Sequence, residues 1–228
     1  MIPFLIALSS ELKLLERETQ ISTLLLCIAI FSFVLVGWSG MHTSGFLNLL
    51  VKNFFRISPK EKEFKESLKI NFGATFLLFI NFFIALSLCF FLVLNEKLEN
   101  GEAAILAIIS STLFSLLQQF GYRFVLLLSG EKEVSEAITT VNRNTWQFGG
   151  ILLLLLATVW SLNSEHRELL NYCFFILLLF MLILRIIKGL FLSFKRKIRW
   201  YYFILYLCAL EILPAFVFFK LAFGFFQW

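Results

Sequence analysis

A polytopic, all-α membrane bundle of six transmembrane helices, with both termini on the non-cytoplasmic side, is the fold this sequence predicts. Three observations predict it. Of 228 residues, 60% are hydrophobic and only 15% charged, with 30 Phe among them, which is far too apolar for a water-soluble globule. The long runs are apolar all round instead of along one stripe, and they approach the roughly 18 to 20 residues that a bilayer demands of a helix. Lys and Arg gather in two connections and are sparse in two others, the asymmetry that sets orientation in a membrane. The alternation expected of an outer-membrane barrel is absent, and lipid tolerates no unpaired backbone, so helices are the form the runs must take.

The first element, residues 1–20, lacks the basic start and sustained apolar stretch of a secretory signal. With Phe4, Leu5, Leu8 and Leu12 roughly along one side, it reads as an uncleaved amphipathic segment at the interface. The first span follows over Ile21 to Gly40. The connection over residues 41–67 carries Lys52, Arg56, Lys60, Lys62 and Lys65, and is therefore cytoplasmic. Within it, FLNLLVKNFFRIS suggests an interfacial apolar segment, after which Ser58 as N-cap and Pro59 at the first position open a new helix. The second and third spans cover Leu68 to Leu94 and Ala103 to Ser129. Between them Lys97 stands among Glu96, Glu99 and Glu102, so this loop faces outward.

The connection over residues 130–145 spaces Val134, Ile138 and Val141 at helical intervals and reads as a second cytoplasmic amphipathic segment, lying flat or docking a partner. The fourth span, Trp146 to Leu162, is the shortest. An outward loop with Glu165, Arg167 and Glu168 leads to the fifth, Leu169 to Phe194. Lys195, Arg196, Lys197 and Arg199 hold the next connection inside before the sixth, Trp200 to Ala222. Two basic loops inside require an even number of spans, in agreement with six apolar runs. The five Trp residues fall near span ends, as an aromatic belt would place them.

The net charge of +5 does not suggest a nucleic-acid partner, because the basic residues sit in short connections and not on one face. All 15 acidic residues are Glu, which excludes chemistry that specifically needs aspartate. The 4 Cys lie singly in apolar runs and are expected to be buried thiols without disulfides. His42 and His166 fall on opposite sides of the membrane in this threading, so no shared metal or haem site is expected, and no cofactor. Motifs for metalloprotease, serine hydrolase or phosphate-loop chemistry are absent, as are internal repeats. The chain is therefore not expected to be an enzyme.

Polar residues inside the runs are the candidate site. Glu211 lies about 16 Å along the last span from Trp200, near the midplane, where a charged carboxylate costs about 2.5 to 3.5 kcal/mol. It should point inward beside Cys208 and Ala215, and Pro214 frees the carbonyl of Leu210 at the same level. In the antiparallel fifth span Arg185 reaches a similar height, so an ion pair with Glu211 is expected. Lys188 is one turn nearer the cytoplasm, with Gly189 beside it for close packing. Gln118, Gln119 and Arg123 occupy the inner half of the third span, and Asn81 is near mid-depth in the second. Arg123, Arg185 and Lys188 together suggest an inward-facing basic cavity. Arg123 and Lys188 alternatively snorkel to headgroups, the pair Glu211 with Arg185 alternatively fixes helix register only, and the glutamines alternatively bond across helices.

The stretch holding Tyr206, Leu207, Cys208, Leu210, Glu211, Ile212, Pro214 and Lys220 resembles the C-terminal signature of an uncharacterised family of integral membrane proteins from Bacteroidota, known only as a domain of unknown function. Arg123 in GYR fits a basic position of the same family. The resemblance implies the inner membrane of a Gram-negative envelope, hence periplasmic termini, and supplies no reaction. Three functional expectations follow. The first is a non-enzymatic subunit or accessory of a larger inner-membrane complex concerned with protein export or envelope assembly, with membrane lipids and other integral membrane proteins as partners. The second is binding or transport of an anionic lipid or lipid-linked phosphate through the basic region. The third is ion-coupled transport through a titrating Glu211.

Overall fold

The computed structural model describes residues 23–41, 46–55, 72–95, 98–129, 132–163 and 166–195. These form six helices: α1 (Thr23–Met41), α2 (Phe46–Phe55), α3 (Phe72–Leu94), α4 (Asn100–Ser129), α5 (Lys132–Leu162) and α6 (Arg167–Lys195), with no strand among the described residues. Among the described residues four stretches are long and apolar enough to cross a membrane, Thr23–Met41, Gly73–Leu94, Asn142–Leu162 and Arg167–Lys188; α4 adds a shorter apolar stretch, Asn100–Leu116. The interfacial N-terminal segment and the sixth run, Trp200 to Ala222, lie outside the described residues.

The apolar runs become helices because lipid and core leave each backbone N–H no partner but its own chain. α2 arises within the first basic connection, where Phe46, Leu50 and Phe54 recur every four residues and bury one face, while Val51 and Phe55 remain exposed. α5 begins at Lys132. The stretch containing Val134, Ile138 and Val141 is therefore one helix with the span that starts at Trp146, and no turn separates them.

α3 forms the centre. Ala74, Leu78, Phe82, Ala85, Leu86 and Cys89 are all essentially inaccessible, and α3 packs most extensively on α5, then on α4. Phe79 and Phe82 flank Trp146, and the Cys89 thiol donates to the Leu153 carbonyl at 3.6 Å, so positions rise together and the two helices are parallel. α6 runs antiparallel to α5: Trp160 lies 6.4 Å from Phe174 between ring centroids, whereas Gly149 lies against Met181. The main core joins α1, α3, α4, α5 and α6, and a smaller one joins Phe46 and Leu50 of α2 to Leu78, Phe148 and Ile151.

Adjacent glycines on α5 explain how closely its neighbours approach. A Cβ at Gly150 would stand 2.9 Å from the Phe82 Cα and 3.0 Å from Asn81 Nδ2, so only glycine admits the α3 backbone there. A Cβ at Gly149 would collide with the Met181 thioether on the other side.

Two expectations differ from this packing. Trp146 and Trp160 are buried between helices, Trp146 stacked on Phe82 at 5.7 Å with an interplanar angle of 6°, instead of anchoring an interface. A large ring at a span end serves either purpose, and here facing aromatic partners capture it. Cys27 is exposed, whereas Cys89 is buried and Cys173 half-buried, all three free thiols. The outer faces of α1, α4 and α6 carry Ile30, Phe31, Val34, Ile105, Ile108, Tyr172 and Ile176 outward, as a lipid-facing exterior requires.

A buried polar seam as the candidate functional site

The contact of Gly149 with Met181 sets the register from which the site can be built. Stepping by one turn and then two along the same face leads from Gly149 to Thr145 and Asn142 on α5, and from Met181 to Arg185 and Lys188 on α6. Because the helices are antiparallel, Thr145 comes level with Arg185, and Asn142 with Lys188. Counting from the centres of the apolar windows, Arg185 is about 11 Å and Gln147 about 7 Å from mid-span at helical rise. The polar residues thus belong to the inner half of the bundle in the threading inferred from the basic loops.

Burial here is nearly complete. Arg185 is 9% exposed and Lys188 3%. Lys188 does not reach for the surface; its ammonium sits 5.4 Å from the centroid of the Phe54 ring, so the amphipathic helix α2 covers the basic end and offers it an aromatic face. Phe54 is itself held by Phe148 of α5, at 4.4 Å between centroids.

The same turns of α5 carry Asn142, Asn144, Thr145 and Gln147, all buried, with half-buried Arg143 among them. Among the described residues Asn142 Oδ1, Asn144 Oδ1 and both amide atoms of Gln147 have no hydrogen-bond partner. At mid-span the Ser32 hydroxyl of α1 donates to Asn81 Oδ1 at 2.7 Å, a bond that ties α1 to α3. Asn81 Nδ2, turned toward Gly150, again lacks a described partner. Above this level the interior changes to Leu153, Leu154, Ala157, Trp160 and Phe174, which close the seam with an apolar plug.

Arg185 and Lys188 are buried one turn apart on α6, and Asn81 is buried near mid-span on α3. Gln118, Gln119 and Arg123 fall on α4, with their side chains outside the described part of the structure; Tyr206, Glu211 and Pro214 lie outside the described residues altogether. Asn142, Asn144, Thr145 and Gln147 were not anticipated. Their signal was present in NRNTWQFGG, where amides run straight into a glycine pair and an apolar helix. No group of three or more His, Cys, Asp or Glu residues that could hold a metal occurs among the described residues.

Comparison with known proteins adds one finding. The family model described as domain of unknown function (DUF4271) matches residues 21–222. No curated protein and no solved structure matches the chain.

Proposed function

The chain belongs to the DUF4271 family, a domain of unknown function, and from that premise we propose that it is a non-enzymatic, multi-pass protein of the bacterial inner membrane that binds an anionic, phosphate-bearing lipid or lipid carrier at the inner end of α6. One observation carries the reading: Arg185 and Lys188, three residues apart on one helix, are both kept inside the bundle. Burying a cation is costly unless something negative or strongly polar meets it. The carboxylates among the described side chains, Glu99, Glu102 and Glu168, are exposed and belong to the opposite end of the bundle.

The test is to purify the full chain from its membrane in mild detergent and identify retained lipids by native mass spectrometry. The expected result is an anionic lipid that the double variant R185Q/K188Q loses. Retention of that lipid by the double variant, at the wild-type level, would overturn the assignment.

A second reading is favoured by α1. Only 22% of its apolar window is buried, as for α6 and against 50% for α3, and on α1 the large side chains Leu24, Phe31, Val34, Trp38 and Met41 all project outward. Such a strip suits docking against another integral membrane protein, and supports a role as accessory subunit of a complex in protein export or envelope assembly. Crosslinking in cells from position 34 or 38 should then capture a specific membrane protein; capture of lipid alone would oppose this role.

A further inference from the structure

Sequence alone would rest α2 on the cytoplasmic surface, but its contacts set it deeper. Phe46 and Leu50 cluster with Leu78 of α3, Val36 of α1, and Phe148 and Ile151 of α5. The Phe54 ring lies 4.4 Å from that of Phe148 and 6.4 Å from that of Phe180 on α6. Measured along each helix from the centre of its apolar window, these anchors stand about 2–8 Å to the inner side of mid-span, where half the hydrocarbon is about 15 Å. The Phe46 end is the shallower one, because it also meets Gly40, about 12 Å from mid-span.

A helix lying on the surface aims its apolar face at the membrane centre. α2 instead turns that face sideways, against α1, α3, α5 and α6. Met41 ends α1 and Phe72 begins α3, both at the inner end of the bundle, so α2 belongs to a segment that dips in and returns on one side. Its 10 residues are too few to cross the membrane and suit such a dip.

The opposite face of α2 is open. Asn48, Val51, Lys52 and Phe55 share one side at steps of three and four residues; Val51 is 40% and Phe55 58% exposed, with Asn48 and Lys52 exposed beside them. This apolar pair adjoins Phe180, itself 41% exposed, and at such a depth it matches acyl chains. Lys52 decides which lipid. Among the described residues no side chain pairs with it, and a cation among apolar neighbours inside the hydrocarbon is costly by itself. Its stem carries the ammonium toward the headgroups. A carboxylate on a second membrane protein would bear the same cost at that depth, whereas a lipid phosphate approaches from the wet side.

We infer that α2 is a re-entrant helix whose open face holds an anionic phospholipid of the inner leaflet, the acyl chains on Val51 and Phe55 and the headgroup drawn to Lys52. This face is turned away from Phe54 and from the Lys188 ammonium that lies over its ring, so the inference goes beyond the lipid proposed at Arg185 and Lys188.

The experiment reconstitutes the full chain, with Phe55 replaced by a fluorescent amino acid, into mixed vesicles of phosphatidylglycerol and phosphatidylcholine. One lipid at a time carries bromine midway along its acyl chains. Bromine should quench position 55 to a degree comparable with the same fluorophore at exposed Val34, and aqueous iodide should quench it little. Strong iodide quenching places α2 at the surface and overturns the re-entrant assignment. Quenching by neither agent means that protein covers the face, and overturns the lipid occupant. Brominated phosphatidylglycerol should quench about fivefold more effectively than brominated phosphatidylcholine at equal mole fraction, the preference one lysine near anionic headgroups gives. K52Q should remove that preference with its unfolding midpoint unchanged, and R185Q/K188Q should leave it intact. Equal quenching by the two lipids in the wild type overturns the headgroup assignment and says nothing against the buried cations. Loss of the preference in R185Q/K188Q but not in K52Q assigns the quenching lipid to those cations and overturns the site on α2.

Discussion

Two stretches of α5, residues 142–147 and 153–160, each carry buried side chains, and the two sets are built from opposite chemistry. Toward the outer end Leu153, Leu154, Ala157 and Trp160 meet Cys89, Phe90 and Phe174, and every contact contributes to packing. Toward the inner end Asn142, Asn144, Thr145 and Gln147 are as thoroughly enclosed, yet Asn142 Oδ1, Asn144 Oδ1 and both amide atoms of Gln147 lack a partner in the described structure. Burial therefore does not by itself identify which part of the helix holds the bundle together. The outer stretch packs as an apolar core, and the inner one buries amides that packing alone does not require.

Substitutions can break or sharpen that contrast. The largest effect is expected at Phe174, inaccessible and packed edge-on against Phe90 at 5.5 Å. F174A should destabilise the detergent-solubilised protein by about 3–5 kcal/mol, seen as a clear fall in the denaturant midpoint; a change under about 1 kcal/mol would contradict a tight outer core. Next come the glycines that separate the halves. G150A must push on the Phe82 backbone, and should cost about 1–3 kcal/mol, whereas G149A meets only the end of the flexible Met181 side chain and should cost clearly less. Equal costs, read by thermal unfolding, would dispute the register used to build the site.

Smaller again is S32A, which removes the donor to Asn81 and should lose about 0.6–1.7 kcal/mol. Smallest, and of opposite sign, is Q147L. Replacing an unsatisfied buried amide with an apolar side chain of similar size should be neutral or stabilising by up to about 1 kcal/mol without ligand. A loss of 2 kcal/mol or more, on the order of the cost of breaking a satisfied buried hydrogen bond, would show that Gln147 is structural and that the two halves do not differ as described.

Much of the fold was legible because apolar runs leave the backbone few choices. The run from Leu68 to Leu94 became α3 over Phe72–Leu94, and the first run became α1 over Thr23–Met41. Arg185 and Lys188 were recognisable from depth alone, since a cation that far along an apolar helix demands an explanation. The amides of α5 were not. Asn142, Asn144 and Thr145 read as the end of a cytoplasmic amphipathic connection, and their enclosure depends on neighbouring helices, whose contacts no local pattern reveals. Trp146 and Trp160 were misplaced for a related reason. Sequence position puts a Trp near a span end, but Phe82 and Phe174 on other helices decide whether it faces lipid or core.

The adjacent glycines also have a consequence for how the bundle assembles. A turn of about 100° per residue means that twisting α5 by one position would bring Phe148 or Ile151 to where Gly149 or Gly150 now stands, against Met181 or the Phe82 backbone. The helix is therefore indexed in azimuth like a keyed shaft, with one rotational setting at which both neighbours can seat. Once α3 and α6 have closed on it, the direction in which Asn142, Asn144 and Gln147 point is no longer free to drift.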